Sequence, residues 1–380
     1  MKTLRFMIVA GEASGDGHAA KLVRAICKNS AADNIEFFGA AGPQMRDAGV
    51  EPTVEADSLS IVGLAEIGRA LPMFLRVMKQ LKSAAVEKQP DLAILVDFPD
   101  FNLKLAKFLK KQGVKVVYYI SPQLWAWRKY RVSSIKNYVD LMLTILPFEK
   151  AWYAEHGVTN VEYVGSPLAG EVYPTLNKQQ FCRDQALDQT KPIIALLPGS
   201  RHKEIARIMP VMVASAEIVK SHIVDAQFVI AIGSSKQRSQ IDEIIGETKV
   251  SFTVVENQTF DALNAADSAA VTSGTATLET AIIGTPLAIV YKTSLLNYWL
   301  FKPIIEVPHY GLVNLIAGER LAKELIQNEF TGETLSDEII RLMQPDVNAE
   351  MRVRLKETAD KLGQGGASDR AAKSILRLVS

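Results

Sequence analysis

Residues 271–279 read Val271-Thr-Ser-Gly-Thr-Ala-Thr-Leu-Glu279. The small apolar run 268–272 predicts a buried strand. Ser273-Gly274-Thr275 predicts a tight turn, and 275–283 a helix stopped by Gly284 with Pro286 just beyond. A helix that starts at the carboxyl end of a buried strand turns free N–H groups and a positive dipole end outward. That is an anion site, and phosphate suits it. Glu279 lies about one turn in, on the face that Thr275 occupies. A carboxylate there would repel a phosphate unless it had its own task, and accepting hydrogen bonds from a ribose diol is such a task. The stretch reads as the diphosphate and ribose clamp of a nucleotide-sugar enzyme.

Outward from it, apolar runs alternate with helical patterns. Short strands are expected at 4–10, 35–39, 91–96, 114–120, 141–146 and 161–164, with helices at 18–28, 70–88, 102–112 and 148–156 between them. A second series follows at 193–197, 227–232, 251–255, 268–272 and 287–291. Apolar strands with helical crossovers argue parallel sheets covered on both faces. The expected fold class is α/β, two Rossmann-like doubly wound domains facing a central cleft. The expected organisation is an acceptor-binding domain at 1–168, a polar linker at 169–190, a nucleotide-sugar domain at 191–362, and a C-terminal helix at 363–380 able to pack back on the first domain.

Bulk composition excludes several classes. With 48% hydrophobic and 22% charged residues over 380 positions, the chain is globular. A net charge of +1 lends no support to nucleic-acid binding. Cys27 and Cys182 form neither a disulfide framework nor a metal spacing, and the histidines are scattered, so neither a cofactor nor a bound metal is expected. Residues 1–10 are a strand pattern and not a leader, and no apolar run reaches membrane-spanning length.

The residue candidates sit after strands. Gly11-Glu-Ala-Ser-Gly-Asp-Gly17 follows the first strand and is expected as a polar loop that brings Glu12, Ser14 and Asp16 to the cleft. Asp97 ends the strand 91–96 and is the candidate general base, while Asp100 is expected to cap the helix near Asn102. The run 121–128, with Trp125, Trp127 and Arg128, and Lys129 and Arg131 beyond, offers an aromatic wall beside phosphate-pairing cations. Leu197-Pro-Gly-Ser200-Arg201 places a fixed charge where a departing diphosphate needs one. Asn314, between Gly311 and Gly318, is a candidate donor to a phosphate or sugar. Apolar residues flanked by cations at 59–81 and 295–305 suggest an interfacial element at an anionic membrane.

Taken together, these motifs resemble the lipid-A-disaccharide synthase family. The resemblance rests on Val9 through Asp16, Ala41-Gly-Pro43, Asp97 through Asn102, Ser121 through Arg128, Leu146 through Lys150, Leu197 through Arg201, Ser273 through Glu279 and Asn314 through Gly318, in the same order. It implies the GT-B architecture and an inverting, metal-independent hexosyl transfer. The donor would be UDP-2,3-diacylglucosamine and the acceptor 2,3-diacylglucosamine 1-phosphate (lipid X), with UDP and a β-1,6 disaccharide 1-phosphate as products. It implies a cytoplasmic protein held peripherally at the inner membrane, and is compatible with a homodimer. It assigns Asp97 and Arg201 to catalysis. Ser200, Arg201, Ser273, Gly274, Thr275, Glu279 and Asn314 fall to the UDP-sugar, and Glu12, Ser14, Asp100, Trp127 and Arg128 to the acceptor side. Ser166 stands where many members carry His, and Val313 where a Pro is usual, which predicts a looser loop at Asn314. Two alternatives share the nucleotide clamp: a UDP-N-acetylglucosamine 2-epimerase-like enzyme, and a non-catalytic UDP-sugar-binding protein.

Overall fold

Seven parallel strands, in the order β3-β2-β1-β4-β5-β6-β7, form the sheet of the first unit. The computed structural model describes residues 3–32, 34–56, 67–294, 298 and 307–379. The strands are β1 (Thr3–Ala10), β2 (Asn34–Ala41), β3 (Val50–Glu55), β4 (Leu92–Val96), β5 (Lys115–Tyr119), β6 (Leu141–Thr144) and β7 (Val161–Tyr163). The helices are α1 (Ala13–Asn29), α2 (Pro43–Asp47), α3 (Ile67–Lys88), α4 (Pro99–Lys111), α5 (Val132–Tyr138) and α6 (Glu149–Glu155). Successive residues of β1 serve opposite faces, as a strand's period of two requires. Met7 and Val9 pack with Leu81, Leu105, Ile135 and Tyr153. Phe6 and Ile8 pack with Leu22, Ile26 and Met45 on the other side. Both faces are therefore apolar, which is why these strands read as runs and not as alternations.

The C-terminal helix Ala367–Val379 belongs to this unit. Its buried face is Ala371, Ala372 and Ile375, which join the α1 side of the core. Arg370 Nε donates to the Val164 carbonyl at 2.7 Å, and Ser374 Oγ to Glu162 at 2.5 Å.

The second unit, Leu168–Gln364, holds a six-stranded parallel sheet in the order β10-β9-β8-β11-β12-β13. Its elements are α7 (Lys178–Asp184), β8 (Ile193–Leu197), α8 (His202–His222), β9 (Gln227–Ile232), α9 (Arg238–Ile245), β10 (Phe252–Glu256), α10 (Thr259–Ala265), β11 (Ser268–Thr272), α11 (Ala276–Ile283), β12 (Leu287–Tyr291) and β13 (Glu324–Ile326), with further helices at Leu312–Ala317, Gly332–Leu342 and Pro345–Asp360. The segment expected as a linker is folded into this unit. Thr175 and Leu176 donate their N–H groups to Asp261, Asn177 caps α7 reciprocally with Gln180, and Phe181 is fully buried.

In both sheets the strand order reverses direction at one place, between β1 and β4 and between β8 and β11. The chain leaves such neighbouring strands to opposite faces, which opens a crevice at their carboxyl ends. Ala10 pairs in register with Val96, and Leu197 with Val271. The loops that follow these four residues carry most of the site candidates.

Candidate functional site

At the first reversal, Gly11 and Phe98 interlock. A Cβ at Gly11 would come within 2.4 Å of the Phe98 ring, so only glycine lets the β4 loop lie on the β1 loop. Asp97 and Phe98 are both left-handed, with φ of 47° and 49°. Two consecutive non-glycine residues in that region are strained. The strain is held in place from below. Asn102, fully buried, donates from Nδ2 to the carbonyls of Asp97 at 2.8 Å and Val96 at 3.2 Å. The buried Tyr118 hydroxyl donates to the Asp97 carbonyl at 2.5 Å. The Asp97 backbone is thus fixed, and its carboxyl is pushed up to about 6 by burial, then by the nearby Glu12 charge, against a lowering hydrogen bond from the Phe98 N–H. Glu12, exposed, is the residue that precedes α1, and Ser14 is exposed in that helix's first turn.

The loop expected over 11–17 is helical from Ala13, and Asp16 does not face a cleft. It is buried, and its carboxylate accepts from the N–H groups of Gln44 at 2.9 Å and Met45 at 3.1 Å, so it caps α2. Asp100 caps nothing. Helix α4 starts at Pro99, and the Asp100 carboxylate instead holds Arg128 and Arg131. The two tryptophans part company. Trp127 is partly exposed with the Arg128 guanidinium stacked 4.1 Å from its ring. Trp125 is core, edge-on to Phe148.

Sequence reasoning missed the reason Trp125 is buried. Glu149, fully enclosed, accepts from Trp125 Nε1 at 3.1 Å and from the Leu146 N–H at 3.0 Å. Ser121 also bonds it, and Ser121 Oγ lies 2.9 Å from the Tyr153 hydroxyl. Burial pushes the Glu149 carboxyl up to about 7 in spite of these donors. Glu149 thereby ties the 121–128 loop to the end of β6. The folded chain therefore binds the Glu149 proton more tightly than the unfolded one, and wild-type stability falls as pH rises from 4.5 through about 7. Glutamine has no charge to bury, so Glu149→Gln should raise the urea midpoint above that of wild type at pH 8, an advantage that shrinks toward pH 4. The signal was a Glu directly after the apolar run Leu146-Pro-Phe148, in the motif Leu146 through Lys150.

At the second reversal, Gly199 takes a φ of +101° to turn the chain after β8, and Arg201 stands just before α8. Its side chain is 82% exposed and pairs with Glu204 at 3.0 Å. Gln237, which no local pattern singles out, braces this loop. It donates to the Ser200 carbonyl at 2.7 Å and accepts from the Gly233 N–H at 3.0 Å. Beside it, Ser273 Oγ donates to the Tyr310 carbonyl and Thr272 Oγ1 to that of Leu197. The N–H groups of Gly274, Thr275 and Ala276 have no acceptor among the described residues, and no side chain caps α11. Glu279, half-buried on this helix, makes no side-chain hydrogen bond or ion pair among the described residues, and burial raises its carboxyl above the ordinary value. An open helix N-terminus, an adjacent cation and an unengaged carboxylate one turn in can hold a diphosphate with a diol beyond it.

Asn314 departs from its expected role. It is fully buried in the helix Leu312–Ala317. Nδ2 donates to the Ala322 carbonyl and to Glu324, and Oδ1 accepts from the Ala322 N–H. With both amide hydrogens committed, it orders the 311–324 segment and does not reach for a ligand. Val313, beside it, is fully buried in the same helix. The apolar stretch 59–66 and nearly all of 295–305 lie outside the described residues.

A family model described as lipid-A-disaccharide synthetase matches residues 6–377. The lipid-A-disaccharide synthase of Trichlorobacter lovleyi is 42% identical over 376 residues, 99% of this chain and 97% of its own. Among solved structures, the UDP-GlcNAc 2-epimerase of Neisseria meningitidis, bound to UDP-GlcNAc, is similar with a TM-score of 0.65 at 12% identity, covering 99% of this chain and 100% of that one. The calicheamicin glycosyltransferase CalG4 is similar with a TM-score of 0.60 at 16% identity, covering 99% and 98%. At these identities the structural likeness is one of fold.

Proposed function

The chain belongs to the lipid-A-disaccharide synthase family, glycosyltransferases of lipid A biosynthesis in Gram-negative bacteria, and from that premise we propose how its residues divide the reaction. The donor is UDP-2,3-diacylglucosamine and the acceptor 2,3-diacylglucosamine 1-phosphate. The two units carry the GT-B fold class.

Asp97 takes the proton from the acceptor's 6-hydroxyl as that oxygen attacks the anomeric carbon. The attack is a single displacement, so the configuration inverts and a β-1,6 bond forms. Arg201 and the open N–H groups of Gly274, Thr275 and Ala276 take up the charge that builds on the departing UDP. Ser200 borders that diphosphate as part of the Arg201 loop, and Glu279 accepts from the ribose. A fixed guanidinium and a helix N-terminus supply the positive charge a divalent ion would otherwise bring, so the transfer runs without metal. Glu12 and Ser14 border the acceptor beside Asp97.

The observation that carries this reading is the pairing of unlike chemistry with like topology. One strand-order reversal presents a held carboxylate with a raised pKa, and the other a helix start whose first N–H groups have no acceptor among the described residues. Among the described residues no helix is long and apolar enough to cross a membrane. Helix α3 nevertheless exposes Leu71, Leu75 and Val86 beside Lys79 and Lys82, and Leu75 is 62% exposed. Apolar side chains among lysines suit the surface of an anionic bilayer, so we assign α3 to peripheral contact with the inner membrane, where both lipid substrates reside.

The test is an assay in mixed detergent micelles with donor and acceptor supplied together and singly, with and without EDTA. The expected result is disaccharide 1-phosphate and UDP only when both are present, unchanged by EDTA. UDP release without acceptor would indicate hydrolysis or an epimerase-like course, and loss with EDTA would overturn metal independence.

A further inference from the structure

We propose that Arg128 and Arg131 form the anion subsite for the acceptor's 1-phosphate monoester, an inference that rests on the transferase reading above. The two guanidiniums converge on one carboxylate. Arg128 Nη1 lies 3.1 Å from each Asp100 oxygen, and Arg131 Nη2 donates to Oδ1. Two positive charges against one negative leave the cluster cationic, and most of the N–H donors of the two guanidiniums remain beyond what Asp100 accepts.

The arrangement is built, and its cost is visible. Arg128 sits in the left-handed region at φ 59°, which costs a non-glycine residue about 1 kcal/mol or more. Its plane is held by the Trp127 ring, and its edge by Asp100. Arg131 is pinned more deeply, with only 14% of its side chain exposed. Asp100 is 67% exposed, so the shared carboxylate opens to solvent. An ion pair that exposed contributes little to stability and does not repay a strained backbone. Two guanidinium forks that share an exposed carboxylate match a phosphate, which offers three oxygens and up to two charges.

Position identifies the ligand. Asp100 follows Asp97 by three residues on the same loop and first helical turn. The Tyr118 hydroxyl, which donates to the Asp97 carbonyl, also feels the charges of Asp97, Arg131 and Asp100. Asp97, Asp100 and Arg131 therefore lie near one buried phenol, and Arg128 joins them through Asp100. The acceptor likewise carries its reacting 6-hydroxyl and its 1-phosphate close together, on C6 and C1, with C5 and C1 both bonded to the ring oxygen. Its phosphate is its only fixed charge, and the arginine pair, tied through Asp100 to the loop and first helical turn that carry Asp97, is the complementary group.

The experiment compares two acceptors in mixed micelles, 2,3-diacylglucosamine 1-phosphate and the same lipid with a free 1-hydroxyl. The readout is the ratio of their kcat/KM values. Wild type should favour the phosphate by ~10²-fold or more, as expected for two charged hydrogen-bonding partners. Arg128→Ala should shrink that ratio at least about tenfold, and Arg128→Lys, which keeps the charge and loses the fork, should restore part of it. A purely structural role predicts that both acceptors fall in parallel and the ratio stays, and that result overturns the subsite. So does a wild type indifferent to the phosphate. Should Arg128→Ala fail to fold, the ratios of Arg128→Lys and Arg131→Lys decide in the same way. A wild type that makes no disaccharide from either acceptor would remove the transferase reading itself, and the subsite with it.

Discussion

Asp97→Asn is expected to cut turnover by ~10²–10⁴-fold and at the same time to make the protein more stable at pH 8. The two effects have one cause. Burial and the Glu12 charge raise the Asp97 carboxyl from 3.8 to about 6. A base with that value is ionised at neutral pH yet holds a proton more readily than a free aspartate, which favours transfer from a sugar hydroxyl. The same shift is a stability penalty. The folded chain binds this proton more tightly than the unfolded one, so stability falls as pH rises from 3.8 through about 6 and stays reduced above it. The full penalty corresponds to about 3 kcal/mol. Asparagine has no charge to bury and keeps the shape, so its melting temperature should exceed that of wild type at pH 8. The advantage should vanish near pH 4, where wild type is protonated as well. Activity in wild type should fall on the acid side as pH drops through about 6. Retention of more than about a tenth of wild-type turnover in Asp97→Asn would remove Asp97 as the base, and an unchanged melting temperature at pH 8 would remove the burial argument.

Asp97 also illustrates what the sequence made legible. Its place after a buried strand could be read from the apolar run 92–96, and so could the turn at 273–275 and the arginine after β8. These are local patterns of period and punctuation. The strands missed are those whose cause is not local. Strand β3, Val-Glu-Pro-Thr-Val-Glu, is an edge strand with a proline and mostly partly exposed side chains, and β13 is three residues long. Neither carries the apolar run of a central strand. Polar residues were harder still, because their roles depend on partners far along the chain. Asp16 meets α2 28 residues on, and Glu149 meets Trp125 24 residues back. Asn314 is claimed by Ala322 and Glu324. A buried polar group must be paired, but the sequence does not name the partner. The same limit hid Asn102 and Tyr118 as the residues that hold Asp97, although Asn102 lay inside a motif already in view.

Arg201→Ala should lower kcat by ~10²–10³-fold, the loss expected when one preorganised donor to a developing charge is removed. At rest the Arg201 guanidinium is largely exposed, and among the described residues its ion-pair partner is one carboxylate, Glu204, one turn along α8. Exposed pairs of this kind are weak, so a diphosphate with two charged groups can displace Glu204 at little cost. The open N–H groups at the start of α11 follow directly on β11, which is paired in the sheet with β8, and Gln237 fixes the Arg201 loop through the Ser200 carbonyl. The site is therefore in place before the ligand arrives. What changes during reaction is the charge on the leaving oxygen. An interaction that strengthens with that charge lowers the barrier and leaves donor binding little altered. The expected signature is thus a fall in kcat and kcat/KM together, with the donor KM within a few-fold of wild type. Arg201→Lys should recover part of the rate, because it keeps the charge without the fork. If instead the donor KM rises and kcat holds, Arg201 contributes equally to the bound donor and to the transition state, and leaving-group stabilisation rests on the helix N-terminus alone.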